Sequence, residues 1–151
     1  MAGIKPRIEV KAIPVAEARR LRKAILRPDL PPETTIYPGD DAPDTFHAGA
    51  FLDGELAGIT TALREAPPGQ DEPGAWRLRG VAVAEKARGL GLGRLLVQAC
   101  LQHIDAQEGV WVWANGRTPS LPFYRALGFQ VQGEEYITDS GPHYRVWRAV
   151  T

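Results

Sequence analysis

The chain has 151 residues, 44% hydrophobic and 24% charged, with Lys+Arg 18 against Asp+Glu 18 and a formal net charge of zero. That length suits one domain, residues 1–151, and those proportions exclude a disordered or fibrous chain. Charge neutrality removes the global basic field that drives nucleic-acid or membrane-surface binding, the apolar runs are strand-sized, and a lone cysteine, Cys100, excludes an intrachain disulfide or a Cys-based zinc cage.

Arg7 to Ile13 alternates Ile8, Val10 and Ala12 with polar residues, which predicts a strand. Pro14 then precedes a helix over Val15 to Leu26, with Ala18, Leu21, Ala24 and Ile25 on one face. Leu30 to Thr45 is rich in Pro, Gly and Asp and reads as a long loop or broken helix, of a length that is often functional. Phe46 to Leu52 and Leu56 to Arg64 flank Asp53-Gly54-Glu55, a hairpin signal. After a second loop at Ala66 to Gly74, Trp76 to Val83 is the next strand. A glycine cluster follows, then a helix on which Leu92, Leu95, Leu96, Ala99, Cys100, His103 and Ile104 recur at helical spacing, ended by Gly109. Val110 to Ala114 is a short strand, Leu121 to Leu127 a short helix stopped by Gly128, and Phe129 to Thr138 with His143 to Val150 a final pair of strands. Hairpins mixed with one strand–helix–strand unit predict an α+β domain, a mixed sheet covered by helices.

The most informative stretch is Arg88-Gly89-Leu90-Gly91-Leu92-Gly93-Arg94, between a strand and a helix. Glycines there let backbone N–H groups converge, and the helix adds its positive end, which suits phosphate oxygens. The spacing discriminates among glycine loops. A nucleotide P-loop needs Lys-Ser or Lys-Thr where Arg94-Leu95 stands, and a dinucleotide fingerprint needs a glycine at Arg94 directly after the strand, whereas Ala84 to Arg88 intervene here. What remains is Arg-x-x-Gly-x-Gly.

That pattern, with Val81-Ala82-Val83 and Glu85 before it and Asn115 and Phe123-Tyr124-Arg125-Ala126-Leu127-Gly128-Phe129 after it, resembles the GNAT superfamily of N-acetyltransferases. The resemblance implies the acyl-CoA N-acyltransferase fold: a central, mostly antiparallel sheet with splayed strands and helices on both faces. It implies acetyl-CoA as cosubstrate, its pyrophosphate on the amides of Arg88, Gly89, Leu90, Gly91, Leu92, Gly93 and Arg94 and its pantetheine arm along Val81, Ala82 and Val83. It further implies transfer of the acetyl group to a primary amine by direct attack in a ternary complex. The alternative is a non-catalytic acetyl-CoA-binding or regulatory module with the same fold.

By the same resemblance Tyr124 donates a proton to the departing thiolate, against the reading of an amphipathic core tyrosine. Asn115 bonds pantetheine or ties down the next loop, and both roles stay open. Arg117 and Arg125 are surface arginines or reach coenzyme phosphates. Where some relatives carry a Glu, this strand has Arg77 and Arg79 on one face. They either favour an anionic acceptor or pair with neighbouring carboxylates. Deprotonation runs through water, Glu134, Glu135 or His143, and His143 is placed to face the acceptor. His47 and His103 read as structural, no metal site is expected, and Cys100 reads as buried and inert. A small-molecule or protein amine is the expected partner, without nucleic acid or membrane. The oligomeric state is open, a homodimer included. With no leader segment visible at the N-terminus, a cytoplasmic location is expected.

Overall fold

The structure, a computed structural model, describes residues 5–151. The expectation that no leader precedes the domain falls partly on residues 1–4, outside the described residues. Seven strands follow the chain as β1 (Ile8–Ala12), β2 (Phe46–Leu52), β3 (Glu55–Arg64), β4 (Ala75–Val83), β5 (Trp111–Arg117), β6 (Gln130–Thr138) and β7 (Gly141–Ala149). They form one sheet in the order β1-β2-β3-β4-β5-β7-β6. All neighbours are antiparallel except β4 and β5. That parallel pair needs a long crossover, and helix α2 (Leu92–Ala106) supplies it.

Each face of the sheet has its own core. On one, Leu92, Leu96, Val97, Cys100 and Ile104 of α2 sit on Ala48 and Ala50 of β2, Ala57 and Ala62 of β3, and Trp76 and Leu78 of β4. Alanines beneath the helix let it lie close, and each large aliphatic side chain buried there contributes roughly 1.5–3 kcal/mol. On the other face, helix α1 (Val15–Ile25) places Ala18 and Leu21 against Leu56, Ile59 and Ala82. The mixed sheet with helices on both faces is therefore as the sequence implies.

Local differences have physical causes. Ala24 is exposed, and the third buried position of α1 is Arg22, which an apolar count passes over. Strand β5 begins at Trp111 and runs to Arg117, because pairing with β7 continues to Arg117 opposite His143; Val110 stays outside it, exposed. Helix α2 ends at Ala106, and the left-handed residue beyond it is Glu108. Gly109 serves close approach instead: a Cβ there would fall 2.3 Å from Ile104 and 2.7 Å from Trp76.

The sheet is irregular at its centre. β4 and β5 pair only from Ala75 to Arg77 and from Trp111 to Trp113. Just beyond, Gly80 adopts φ +69, and the register of β4 on β3 shifts between Ile59 and Thr61. A bulge of this kind bends its strand. From Leu78 onward the β5-facing edge of β4 has no strand beside it.

Candidate active site in the gap between β4 and β5

The parting of the two strands opens a cleft of about 760 Å³. Its walls are Leu78 to Val81 of β4, Asn115 and Arg117 of β5, and Tyr124 of helix α3 (Leu121–Ala126). The end of α1 and the loop after it contribute Arg27, Tyr37 and Pro38, and the β6–β7 hairpin contributes Asp139 and His143.

Below the cleft the open edge of β4 continues through Val81, Ala82 and Val83 to the glycine loop. Gly91 is the N-cap of α2 at φ 82, Gly89 has the same φ, and a Cβ on either would meet nothing within 4 Å. Positive φ, not crowding by the protein, is what demands glycine there. No side chain caps α2, and its first internal bond runs from the Leu95 amide to the Gly91 carbonyl. The amides of Leu92, Gly93 and Arg94 therefore point out of the helix end with its positive partial charge. Arg88, Gly89, Leu90 and Arg94 are all exposed. Gly93 faces Phe123, where a Cβ would come within 3.0 Å, so the helix end lies directly beside α3.

Tyr124 is buried to 7% exposure yet borders the cleft. Gly116 leaves room for its ring, since a Cβ there would lie 3.1 Å from it. Phe123 and Phe129 meet the ring edge-on. Burial pushes the phenol up to about 12. Among the described residues, nothing hydrogen-bonds the Tyr124 hydroxyl.

The opposite side of the cleft is held by a short polar chain. Tyr136 Oη donates to Asn115 Oδ1, and the Tyr136 ring stacks on His143 at 6.0 Å. Asn115 thus lies within β5 and fastens it to β6, not to the loop beyond β5. His143 Nδ1 is 2.8 Å from the Gly141 carbonyl.

Arginines line the cleft on the β4 side, and two of them, Arg77 and Arg79, have carboxylate partners. Arg77 bonds Glu65 at 3.0 Å and lies over Trp113. Arg79 bonds Asp40 at 3.0 Å and the Pro38 carbonyl at 2.7 Å. Asp40 also takes two bonds from the fully buried Arg22 and lies 3.6 Å from Arg19. Burial alone would raise the Asp40 carboxyl, but hydrogen bonds from Arg22 and the Tyr37 amide, with the charges of Arg22 and Arg79, hold it below its ordinary value. Tyr37 lies among the guanidinium groups of Arg22, Arg27 and Arg79. Arg27 donates to the Tyr37 hydroxyl, and Arg117 is exposed. Arg125 is exposed on α3.

The structure thus brings Tyr124, Asn115, His143, Arg77, Arg79 and Val81 to one cleft and sets the glycine loop at the far end of the same strand edge. Glu134 and Glu135 are exposed and border no part of it; Glu135 accepts from Thr118. His47 is buried between Thr61 and the Asp40 carbonyl, and His103 stacks on Phe46. Sequence reasoning missed Arg22, Tyr37, Asp40 and Tyr136. The only signal for the first was a charge on an otherwise apolar helical face. Among the described residues, no group of three or more His, Cys, Asp or Glu could hold a metal ion, and no helix is long and apolar enough to cross a membrane.

The sequence model of the Acetyltransferase (GNAT) family matches residues 15–129. The uncharacterized N-acetyltransferase YitI of Bacillus subtilis (strain 168) is 34% identical over 145 residues, spanning 95% of this chain and 97% of that protein. Escherichia coli ElaA shares the fold with a TM-score of 0.76 at 22% identity, over 95% of this chain and 99% of its own. So does an aminoglycoside 6′-N-acetyltransferase complexed with coenzyme A, with a TM-score of 0.71 at 14% identity over 95% and 97%. A family match that runs from the start of α1 to the residue before β6, enclosing the glycine loop and Tyr124, makes this chain a member of the Acetyltransferase (GNAT) family.

Proposed function

We propose that the protein transfers the acetyl group of acetyl-CoA to a primary amine by direct attack in a ternary complex. The observation that carries this reading is the unpaired edge of β4, with the glycine loop at one end and the Tyr124 hydroxyl at the other. The amides of Leu92, Gly93 and Arg94, free at the start of α2 beside the exposed Gly89 and Leu90, suit a pyrophosphate. The edge from Val81 to Val83 offers donors and acceptors to the amides of an extended pantetheine, as a sheet edge does to a peptide. Bound so, the thioester reaches the cleft.

The amine nitrogen attacks the carbonyl carbon, the C–N bond forms, the C–S bond breaks, and its electron pair leaves on sulfur. Tyr124 stays protonated across the neutral range, as a donor toward that sulfur must. A phenol at about 12 is a weaker acid than an ordinary thiol, so its main contribution is a hydrogen bond to the developing thiolate. Proximity of the two reactants supplies much of the remainder.

The acceptor in this reading carries an anionic group beside its amine. Arg27, Arg77, Arg79 and Arg117 line the cleft, against the single carboxylate of Asp139. Arg77 is offset by Glu65, and Arg79 shares Asp40 with Arg22 and Arg19. Arg27 and Arg117 have no carboxylate within salt-bridge distance among the described residues, so a positive balance faces the acceptor.

Ligand-induced stabilisation tests the coenzyme half. Acetyl-CoA at 100 times its dissociation constant raises the unfolding free energy by about 2.7 kcal/mol. Pantetheine, which lacks the phosphates, does much less. No shift with acetyl-CoA contradicts the proposal.

A further inference from the structure

We infer that His143 is the general base of this transfer, its Nε2 taking the proton that the amine nitrogen loses as the C–N bond forms. The inference rests on the proposed function and adds the group that removes the proton.

The hydrogen bonding of the imidazole decides which nitrogen is available. Nδ1 lies 2.8 Å from the carbonyl oxygen of Gly141, which can only accept. Nδ1 therefore carries the hydrogen, and in the neutral ring the lone pair is on Nε2. The hydroxyl of Thr138, 3.2 Å from Nδ1, also bonds the Gly141 carbonyl and receives the Ser140 amide, so the turn around the ring is tied to itself. Stacking on Tyr136, which is anchored to Asn115, fixes the plane of the ring. The result is a side chain of 7% exposure with one nitrogen committed to the backbone and the other without a partner among the described residues.

Its position relative to Tyr124 suits the chemistry. On β7, Tyr144 and Val146 join the core on the α2 side of the sheet, so His143, one residue from Tyr144, projects to the other face. Tyr124 comes from α3 and packs into the α2-side core. Both border the same cleft, at the place where β4 and β5 have separated. A nucleophile can approach over one face of the sheet while the thiolate departs toward the other. The proton then passes from nitrogen to His143 Nε2, and the electron pair from the C–S bond settles on a sulfur facing Tyr124.

The competing bases are placed less well. Glu134 and Glu135 border no part of the cleft, and both His47 ring nitrogens are occupied. Asp139 borders the cleft but is exposed, and carboxylates are weaker bases than imidazole. The charged and titratable groups around His143 are Arg117 opposite it on β5, Tyr136 on β6, Asp139 in the turn, Arg145 on its own strand and, across the cleft, Tyr124, Arg27, Tyr37, Arg77 and Arg79.

Two measurements test the assignment on the full chain saturated with acetyl-CoA. Long-range proton–nitrogen NMR of the imidazoles should show neutral His143 as the Nδ1-H form; an Nε2-H form overturns the assignment whatever the activity. For kinetics, β-alanine, phosphoethanolamine, glycinamide and spermine serve as acceptors, and the best of them is used throughout. His143→Gln should lower kcat/KM by about 10²–10⁴-fold. It should also lower the slope of the acid limb of the pH profile, leaving the part that the acceptor's own ammonium group gives, while keeping the acetyl-CoA-induced stabilisation. An equal loss at every pH with the limb unchanged makes His143 structural and overturns the assignment alone. Failure of the unmodified protein to turn over any of the four acceptors overturns both the assignment and the function it rests on.

Discussion

Tyr124 and Arg117 are the residues whose replacement separates chemistry from packing most cleanly. Tyr124→Phe keeps the ring that Phe123, Phe129 and Gly116 surround and deletes only the hydroxyl. Turnover should fall on the order of 10²-fold with coenzyme affinity nearly unchanged. Unchanged turnover in a chemistry-limited assay would return Tyr124 to the core. For acceptor preference, Arg79 is a poor probe, because it also anchors Pro38 and Asp40 and its removal would loosen the loop. Arg117 is exposed and unpaired among the described residues, so Arg117→Ala should fold normally and raise the Michaelis constant several-fold for an acceptor bearing carboxylate or phosphate. Equal Michaelis constants before and after would show that the cationic balance does not select the acceptor.

The segment between α1 and β2 matters as an element because a buried ion pair fixes it. Arg22 and Asp40 have fully buried side chains and are joined at 2.7 and 3.1 Å. Asp40→Asn strips the countercharge from Arg22 and Arg79 and should cost about 3–5 kcal/mol. Acid should reveal the same network in two stages. Burial holds the His47 imidazole below its ordinary value of 6.5, so under that pH the unfolded chain binds a proton first and stability declines. Asp40 is held below its ordinary 3.8, so its contribution is complete above that value and is lost as pH falls through the lower, folded value. Denaturant midpoints at about pH 7.5, 5.5, 4 and 2.5 check both stages. Flat stability from the first to the second would contradict a buried neutral His47.

This network also marks where the sequence stops being readable. The strands, α1, α2 and the glycine loop announce themselves through local period and spacing, and Tyr124 through its motif. Arg22 and Asp40 meet across 18 positions, between a helix and an aperiodic loop, and no local pattern encodes such a pairing. Tyr136 reaches Asn115 only because β7 lies between β5 and β6, a fact of sheet order. The extent of β5 is hidden in the sequence for a related reason. Asn115, Gly116 and Arg117 look like a loop until β7 supplies their partners.

At the scale of the whole molecule, the sheet is cut into two halves that share only three residue pairs, Ala75–Arg77 against Trp111–Trp113. α1 and α2 pack on the half carrying β1 to β4, while α3 and the β6–β7 hairpin complete the other. A ligand lying along the open edge of β4 would join the two, so stabilisation by acetyl-CoA should depend on the loop that holds its phosphates. Gly91→Val, which forces a β-branched residue into φ 82, should weaken that stabilisation. The most direct test of acetyl transfer is free thiol released from acetyl-CoA by the unmodified protein, measured with and without the amine panel. Release should require an amine and equal the acetylated amine formed, mole for mole. Tight binding of acetyl-CoA with no amine-dependent release would contradict transfer and leave the protein a coenzyme-binding module.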